Sequence, residues 1–383
     1  MNIPFVDLKT QYRNLKQSID TAINAVIEET AFIGGKYVTA FEDKFASKYE
    51  VRHCVSTANG TDSLYIIMKA LGIGPGDEVI TVANSWISSS ETITQSGATP
   101  IFVDIDPTYY TINESAIEEK ITKRTKAIIP VHLYGQMCDM DRIMDIASRH
   151  NLYVIEDCAQ SHFSTYNGKR AGTFGVAGSF SFYPGKNLGA YGDAGGLITN
   201  DDDLALRCKM FARHGALVKH DHKMEGINSR LDGLQAAILS VKLDHIDEWT
   251  RKRMVHAAYY SQLFENNNQV VTPKVRANTQ HTFHLYVLRV ENRKALQAHL
   301  HSKGIETAIH YPTPLPFLPA YNYLEHKPED FPVAFAYKDE ILSLPLYPEL
   351  TPEQIEYVAE SVNEFYNKHV YSNQQPATTY TES

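Results

Sequence analysis

Through the first two thirds of the chain, short apolar runs alternate with segments of helical period. Val79–Val82, Thr99–Val103, Ala127–Val131 and Tyr153–Ile155 are rich in β-branched residues and bounded by turn residues, which predicts strands. Ala116–Lys120 and Asp139–Asn151 lie between them and read as helical segments. That alternation predicts an α/β fold, a mostly parallel sheet with helices on both faces. In such sheets a ligand belongs at the carboxyl ends of the strands. Residues 1–235 read as this large domain. The pattern then changes to one long helix, Ala236–Phe264, rich in Leu, Ala, Lys and Tyr, so that 236–265 is a linking helix. A smaller α/β domain is expected over 266–371. It has a strand at Phe283–Val290, a helix at Arg293–Lys303, a short strand at Ile305–Tyr311 and a last helix at Pro352–Tyr366. The polar tail, 372–383, reads as disordered.

A chain of 383 residues is too long for one small core, and two subdomains agree with the pattern. Hydrophobic content of 43% and charged content of 21% describe an ordinary globular protein. The net charge of −9 argues against nucleic acid as a partner, because phosphate backbones are held by clustered Lys and Arg. A nucleotide-linked sugar needs only a few local cations. No apolar run approaches a membrane span, and the opening residues lack the basic and apolar regions of a signal peptide, so a cytoplasmic protein is expected. Cys54, Cys138, Cys158 and Cys208 match no metal-ligand spacing and read as reduced thiols. Cys158 adjoins Asp157, where a packed small residue is the simpler reading.

The chemistry concentrates in two places. Lys186 follows a strand-like run, Ser179–Tyr183, and precedes a Gly-rich turn. A lysine in a tight, partly desolvated loop loses its proton more easily, as a Schiff-base lysine must. Upstream, the apolar run Val154–Ile155 leads into Asp157. A lysine for the aldehyde of pyridoxal phosphate and an acid for its ring nitrogen are the pair that this cofactor requires. Asn59, Gly60, Thr61, Asp62 and Ser63 precede an apolar helix, Leu64–Leu71. Alone, they fit a capped helix as readily as a phosphate site. Trp86, one of two tryptophans, fits either a packed strand–helix junction or a platform for a flat ring.

The segments Ile155–Gln160, Gly168–Gly175 and Ser179–Leu188 together resemble the DegT/DnrJ/EryC1/StrS family of pyridoxal-phosphate-dependent nucleotide-sugar aminotransferases, of the aspartate aminotransferase (fold type I) superfamily. The resemblance runs from about Ile3 to about Tyr366. It implies backbone amides of Gly60 and Thr61 and the hydroxyl of Ser181 on the cofactor phosphate, and Trp86 stacked on the pyridine. It implies Asp157 on the ring nitrogen, Gln160 near the ring hydroxyl and Lys186 as the catalytic lysine. Asn228, in the Asn228–Arg230 signature, would reach across a homodimer interface to the neighbouring subunit's phosphate, giving shared active sites. Tyr183, His310 and Tyr311 would face the sugar, and Lys219 a pyrophosphate, although Lys219 reads almost as well as a solvated surface residue.

The run Tyr183–Gly196 looks most like members that aminate C3 of dTDP-linked 3-keto-6-deoxyhexoses, with L-glutamate as donor. The product would be a dTDP-3-amino-3,6-dideoxyhexose, galacto or gluco, for surface polysaccharide. A 4-keto sugar aminotransferase needs the same cofactor residues. A 3-dehydratase of this fold carries histidine at the lysine position, which Lys186 argues against, and a non-catalytic relative has no reason to keep all four of Asp157, Gln160, Ser181 and Lys186. The family usually has a further histidine near Pro-Leu after the His-Tyr pair. Pro316 follows Leu315 here, which bears on substrate identity.

Overall fold

The computed structural model describes residues 1–372; apart from Ser372, the tail expected to be disordered lies outside them. The chain opens with α1 (Leu8–Glu28) and α2 (Lys36–Tyr49), then alternates β1 (His53–Thr57), α3 (Gly60–Ala70), β2 (Glu78–Val82), α4 (Ser88–Ser96), β3 (Thr99–Val103), β4 (Thr125–Ile129), α5 (Met140–His150) and β5 (Tyr153–Asp157). A small hairpin, β6 (Thr165–Tyr166) and β7 (Lys169–Arg170), leads into β8 (Ala177–Ser181) and β9 (Gly195–Thr199). Next come α6 (Asp202–Phe211), α7 (Gly233–Leu243), α8 (Ile246–Leu263), β10 (Val270–Val271), β11 (Thr279–Gln280) and β12 (Tyr286–Val290). The last elements are α9 (Arg293–Ser302), α10 (Pro332–Tyr337), β13 (Ile341–Leu344) and α11 (Pro352–Ser372).

Seven strands form the central sheet in the order β1-β9-β8-β5-β4-β2-β3. β2, β3, β4, β5 and β8 pair in parallel, and β9 alone runs against its neighbours. Successive side chains leave a strand on opposite faces, and the cores follow that period. Ile80, Val82 and Ile128 enter one core with the aromatic residues of α2, whereas Val79, Ala127 and Ile129 enter another with Leu64, Ile67 and Met68 of α3. A separate core joins Tyr260, Tyr286, Leu288, Leu296, Leu344 and Val358, and Ile3 packs into it. β10, β12 and β13 form a second sheet beside it.

Three expectations need correction. The single helix 236–264 is two helices. At Asp244 and His245 the N–H groups bond three residues back, to Val241 (3.3 Å) and Lys242 (3.0 Å), and after this break α8 packs on α11 whereas α7 packs on α1 and α2. The strand expected from Phe283 begins only at Tyr286, because Phe283 takes φ 44° and its neighbour Thr282 bonds to Gly135 instead. Ile305–Tyr311 is no regular strand. Ile305 bridges Ile3 on one side and Ala308 bridges Ser343 on the other, one pair each.

Phe45 ties α2 to the sheet, with ring centroids 5.3 Å from Phe180, 5.4 Å from Phe182 and 4.7 Å from Tyr49. Phe45→Ala should cost about 3–5 kcal/mol of stability, read as a lower midpoint in urea unfolding. A midpoint unchanged from the wild type would show that this aromatic cluster does not hold α2.

Candidate active site

The loops that follow the carboxyl ends of β1, β2, β5 and β8 converge with residues 310–311 around one cleft of about 460 Å³. Gly60, Thr61, Trp86, Asp157, Gln160, Ser181, Tyr183, Lys186, His310 and Tyr311 all line it, as the sequence predicts. Asn228 and Lys219 do not. Both are exposed on the segment between α6 and α7, outside the cleft of their own chain.

One end of the cleft is built for an anion. Asn59 caps α3 by accepting the N–H of Asp62 at 2.7 Å, and the first N–H groups of a helix have no partner within it. Ser181 brings its hydroxyl alongside, at the end of β8. A Cβ at Gly60 would lie 2.7 Å from the Ser181 Cβ, so only glycine lets the helix start approach that strand. Thr61 is held by its hydroxyl against Ser88 (2.7 Å).

The middle of the cleft holds Asp157, the last residue of β5 and only 5% exposed. Ser89 donates to Oδ2 at 2.8 Å and the Ala159 N–H to Oδ1 at 3.1 Å. Burial raises its pKa, and these two donors, with the charge of Lys186, offset only part of that rise. Ser89 shares its hydroxyl with Ser85 at 2.8 Å, and both serines line the cleft. Sequence reasoning missed Ser85 and Ser89. The cluster of Ser85, Ser88, Ser89 and Ser90 just past a strand end was the available signal.

Lys186 sits in the turn after β8, where its N–H donates to the Tyr183 carbonyl at 2.8 Å. Burial holds its amine down to about 8, against the Asp157 carboxylate, which favours the ammonium. Trp86 and Tyr183 are each 59% exposed, so their ring faces are open to a ligand. Trp86 leans toward Tyr311 at 5.9 Å between centroids. Gln160 is fixed at both ends, accepting the Tyr134 N–H at 2.7 Å and donating to the Tyr311 hydroxyl at 2.9 Å. Burial pushes Tyr311 well above the ordinary tyrosine value and holds His310 down to about 4, so both are uncharged at neutral pH. Asp193, also missed, stands at the rim.

These residues fit pyridoxal phosphate. The α3 start and Ser181 offer donors to a phosphate, Trp86 an open face to a flat ring, Asp157 an acceptor to a ring N–H, and Lys186 an amine to an aldehyde. Uptake of the cofactor by cofactor-free protein should therefore rise with pH and level off above about 8, where the Lys186 amine is uncharged. Asp157→Asn removes a charge that favours the ammonium, and should move the midpoint of that rate profile to lower pH. A profile that still climbs in the range of a free lysine contradicts this environment.

Residues 13–363 match the DegT/DnrJ/EryC1/StrS aminotransferase family. A protein of Geobacillus stearothermophilus named pleiotropic regulatory protein is 47% identical, covering 96% of this chain and 99% of its own. The dTDP-3-amino-3,6-dideoxy-alpha-D-galactopyranose transaminase of Aneurinibacillus thermoaerophilus is 46% identical, covering 95% and 99%. The crystal structure of S. venezuelae DesV superposes with a TM-score of 0.93 at 39% identity, covering 95% of this chain and 98% of that one. With the mostly parallel sheet and the lysine–aspartate cleft at its carboxyl edge, the chain belongs to the DegT/DnrJ/EryC1/StrS aminotransferase family, whose chemistry runs on pyridoxal phosphate.

Proposed function

We propose that this chain moves an amino group from L-glutamate to a dTDP-linked 3-keto-6-deoxyhexose, giving a dTDP-3-amino-3,6-dideoxyhexose for surface polysaccharide. The observation that carries the reading is the meeting of Lys186, Asp157 and the α3–Ser181 anion cradle in one cleft. The name of the A. thermoaerophilus relative supports the C3 position and the dTDP carrier.

Bound pyridoxal phosphate supplies the electron sink that lets the donor's α-carbon give up its proton. Lys186 Nζ is the base for that proton and the acid that returns it, a role suited to an amine that burial holds down to about 8. Asp157 holds a proton at the ring nitrogen by accepting from it, and its ionised form favours that proton. Trp86 orients the ring plane. Tyr311, kept protonated by burial and held by Gln160, is a hydroxyl donor in the lining of the cleft. His310, neutral and tied to Ser343 Oγ at 2.8 Å, offers a sugar hydroxyl a partner without adding charge.

Among the described residues lining the cleft, Lys186 is the one cation. A nucleotide diphosphate needs more positive charge than that, and the exposed Lys219 and Arg230 can supply it only from outside. We therefore read the enzyme as a homodimer in which Asn228 and Lys219 of each subunit serve the neighbour's cleft. A cytoplasmic setting agrees with four buried free cysteines, and among the described residues no helix is long and apolar enough to cross a membrane.

The test converts the enzyme to its pyridoxamine form with L-glutamate, removes the donor, and adds dTDP-linked 3-keto or 4-keto 6-deoxyhexoses separately. Return of the visible band of the lysine-bound cofactor with the 3-keto sugar alone is expected. Return with the 4-keto sugar alone discards the C3 assignment, and return with neither discards the acceptor class. Lys186→Ala should lower turnover by roughly 10²–10⁴-fold or more with the fold unchanged by circular dichroism. Turnover that persists in this variant rules out the mechanism.

A further inference from the structure

A second lysine, fully buried, holds the loop that carries the first. Lys242, on α7, is 1% exposed. Its ammonium donates to the Gly189 carbonyl at 2.7 Å and stands 4.5 Å from the centre of the Tyr191 ring. Among the described residues it makes no ion pair. Loss of solvation on burial holds it down to about 8, with only Glu349 pulling the other way. An uncharged side chain of similar length would remove that cost.

The Gly189 carbonyl is part of the loop that carries Lys186. This loop leaves β8 through Phe182, turns at Pro184–Lys186 and comes back through Gly189–Tyr191. Ala190 donates to the Phe182 carbonyl and Lys186 to the Tyr183 carbonyl, both at 2.8 Å. The two limbs touch: a Cβ at Gly189 would lie 2.3 Å from the Pro184 carbonyl oxygen, so the returning limb cannot shift without moving the turn. α7 grips that limb at two points. Gln235 accepts the Tyr191 N–H at 2.8 Å and Lys242 takes the Gly189 carbonyl, one on each side of Ala190. The two side chains are seven residues apart, two turns along one helix face.

We propose that Lys242 is a positioning residue for Lys186: its buried ammonium, with Gln235, clamps the returning limb of the lysine loop and so sets where the Lys186 amine stands in the cleft. The polar clamp acts on the placement of the amine rather than on the stability of the fold.

Uptake of pyridoxal phosphate tests this without any sugar, so it stands or falls apart from the substrate proposed above. Cofactor-free wild type, Lys242→Met and Lys242→Arg are mixed with pyridoxal phosphate, and the visible band of the lysine-bound cofactor is followed in time, with thermal melting alongside. Lys242→Met should melt within about 4 °C of the wild type. It should acquire the band about tenfold or more slowly, the scale of a misplaced reacting group. Lys242→Arg keeps a donor and should recover most of the lost rate. Acquisition by Lys242→Met at the wild-type rate overturns the proposal. If that variant melts far lower or fails to fold, Gln235→Ala decides, since it frees the Tyr191 end and leaves the buried charge alone. Slower acquisition then supports the clamp and a wild-type rate overturns it.

Discussion

A carboxylate that is buried must be compensated, and Asp157 is buried at the end of β5, the middle strand of seven. Two neutral donors, the Ser89 hydroxyl and the Ala159 N–H, take one site on each oxygen and leave each oxygen able to accept again. The opposite charge that acts on it most strongly is Lys186, itself discharged more easily because burial disfavours its ammonium. Each group makes the other's charged form less costly, and neither is fully satisfied by the protein alone. A ligand that brings a ring N–H to the acid and an aldehyde to the amine answers both. The open face of Trp86 and the anion cradle at α3 define the rest of that ligand's outline.

The residue before Asp157 is also an acid, and strand geometry sends it the other way. Glu156 is fully buried and accepts the N–H groups of Gly172, Phe174 and Gly175 and a ring nitrogen contact from His132, all within 2.9 Å. It pins the loop before β8, the strand that delivers Ser181 and the lysine turn. His132, Glu156 and Cys158 lie close enough to share an ion, but the histidine and the acid already use their atoms on each other and on the loop. Two neighbouring carboxylates on one strand thus divide the work, one holding the scaffold and one facing the ligand.

Much of this was legible in the sequence because the signals were local. Strand periodicity places β2 to β5, and the motifs around Asp157 and Lys186 fall where strands end, which is where open parallel sheets bind ligands. What escaped was set by packing between distant segments. The break at Asp244–His245 carries no Gly or Pro; it falls where the packing partners change, from α1 and α2 against α7 to α11 against α8. The 305–311 segment has strand composition, yet finds one bridge on each side rather than a ladder. Ser85 and Ser89 look like ordinary helix-start serines until β5 brings Asp157 beside them. Asn228 and Lys219 lie outside the cleft of their own chain, so their predicted roles depend on a neighbouring subunit.

Everything proposed for the cleft rests on Lys186, opposite Asp157, being the residue that holds the cofactor. Borohydride reduction of the loaded enzyme, followed by proteolysis and mass mapping, reads this directly, because reduction makes the bond between lysine and cofactor permanent. The pyridoxyl phosphate mass is expected on the peptide containing Lys186 and nowhere else. Label on another lysine, Lys242 included, or no stable label after reduction, would contradict it.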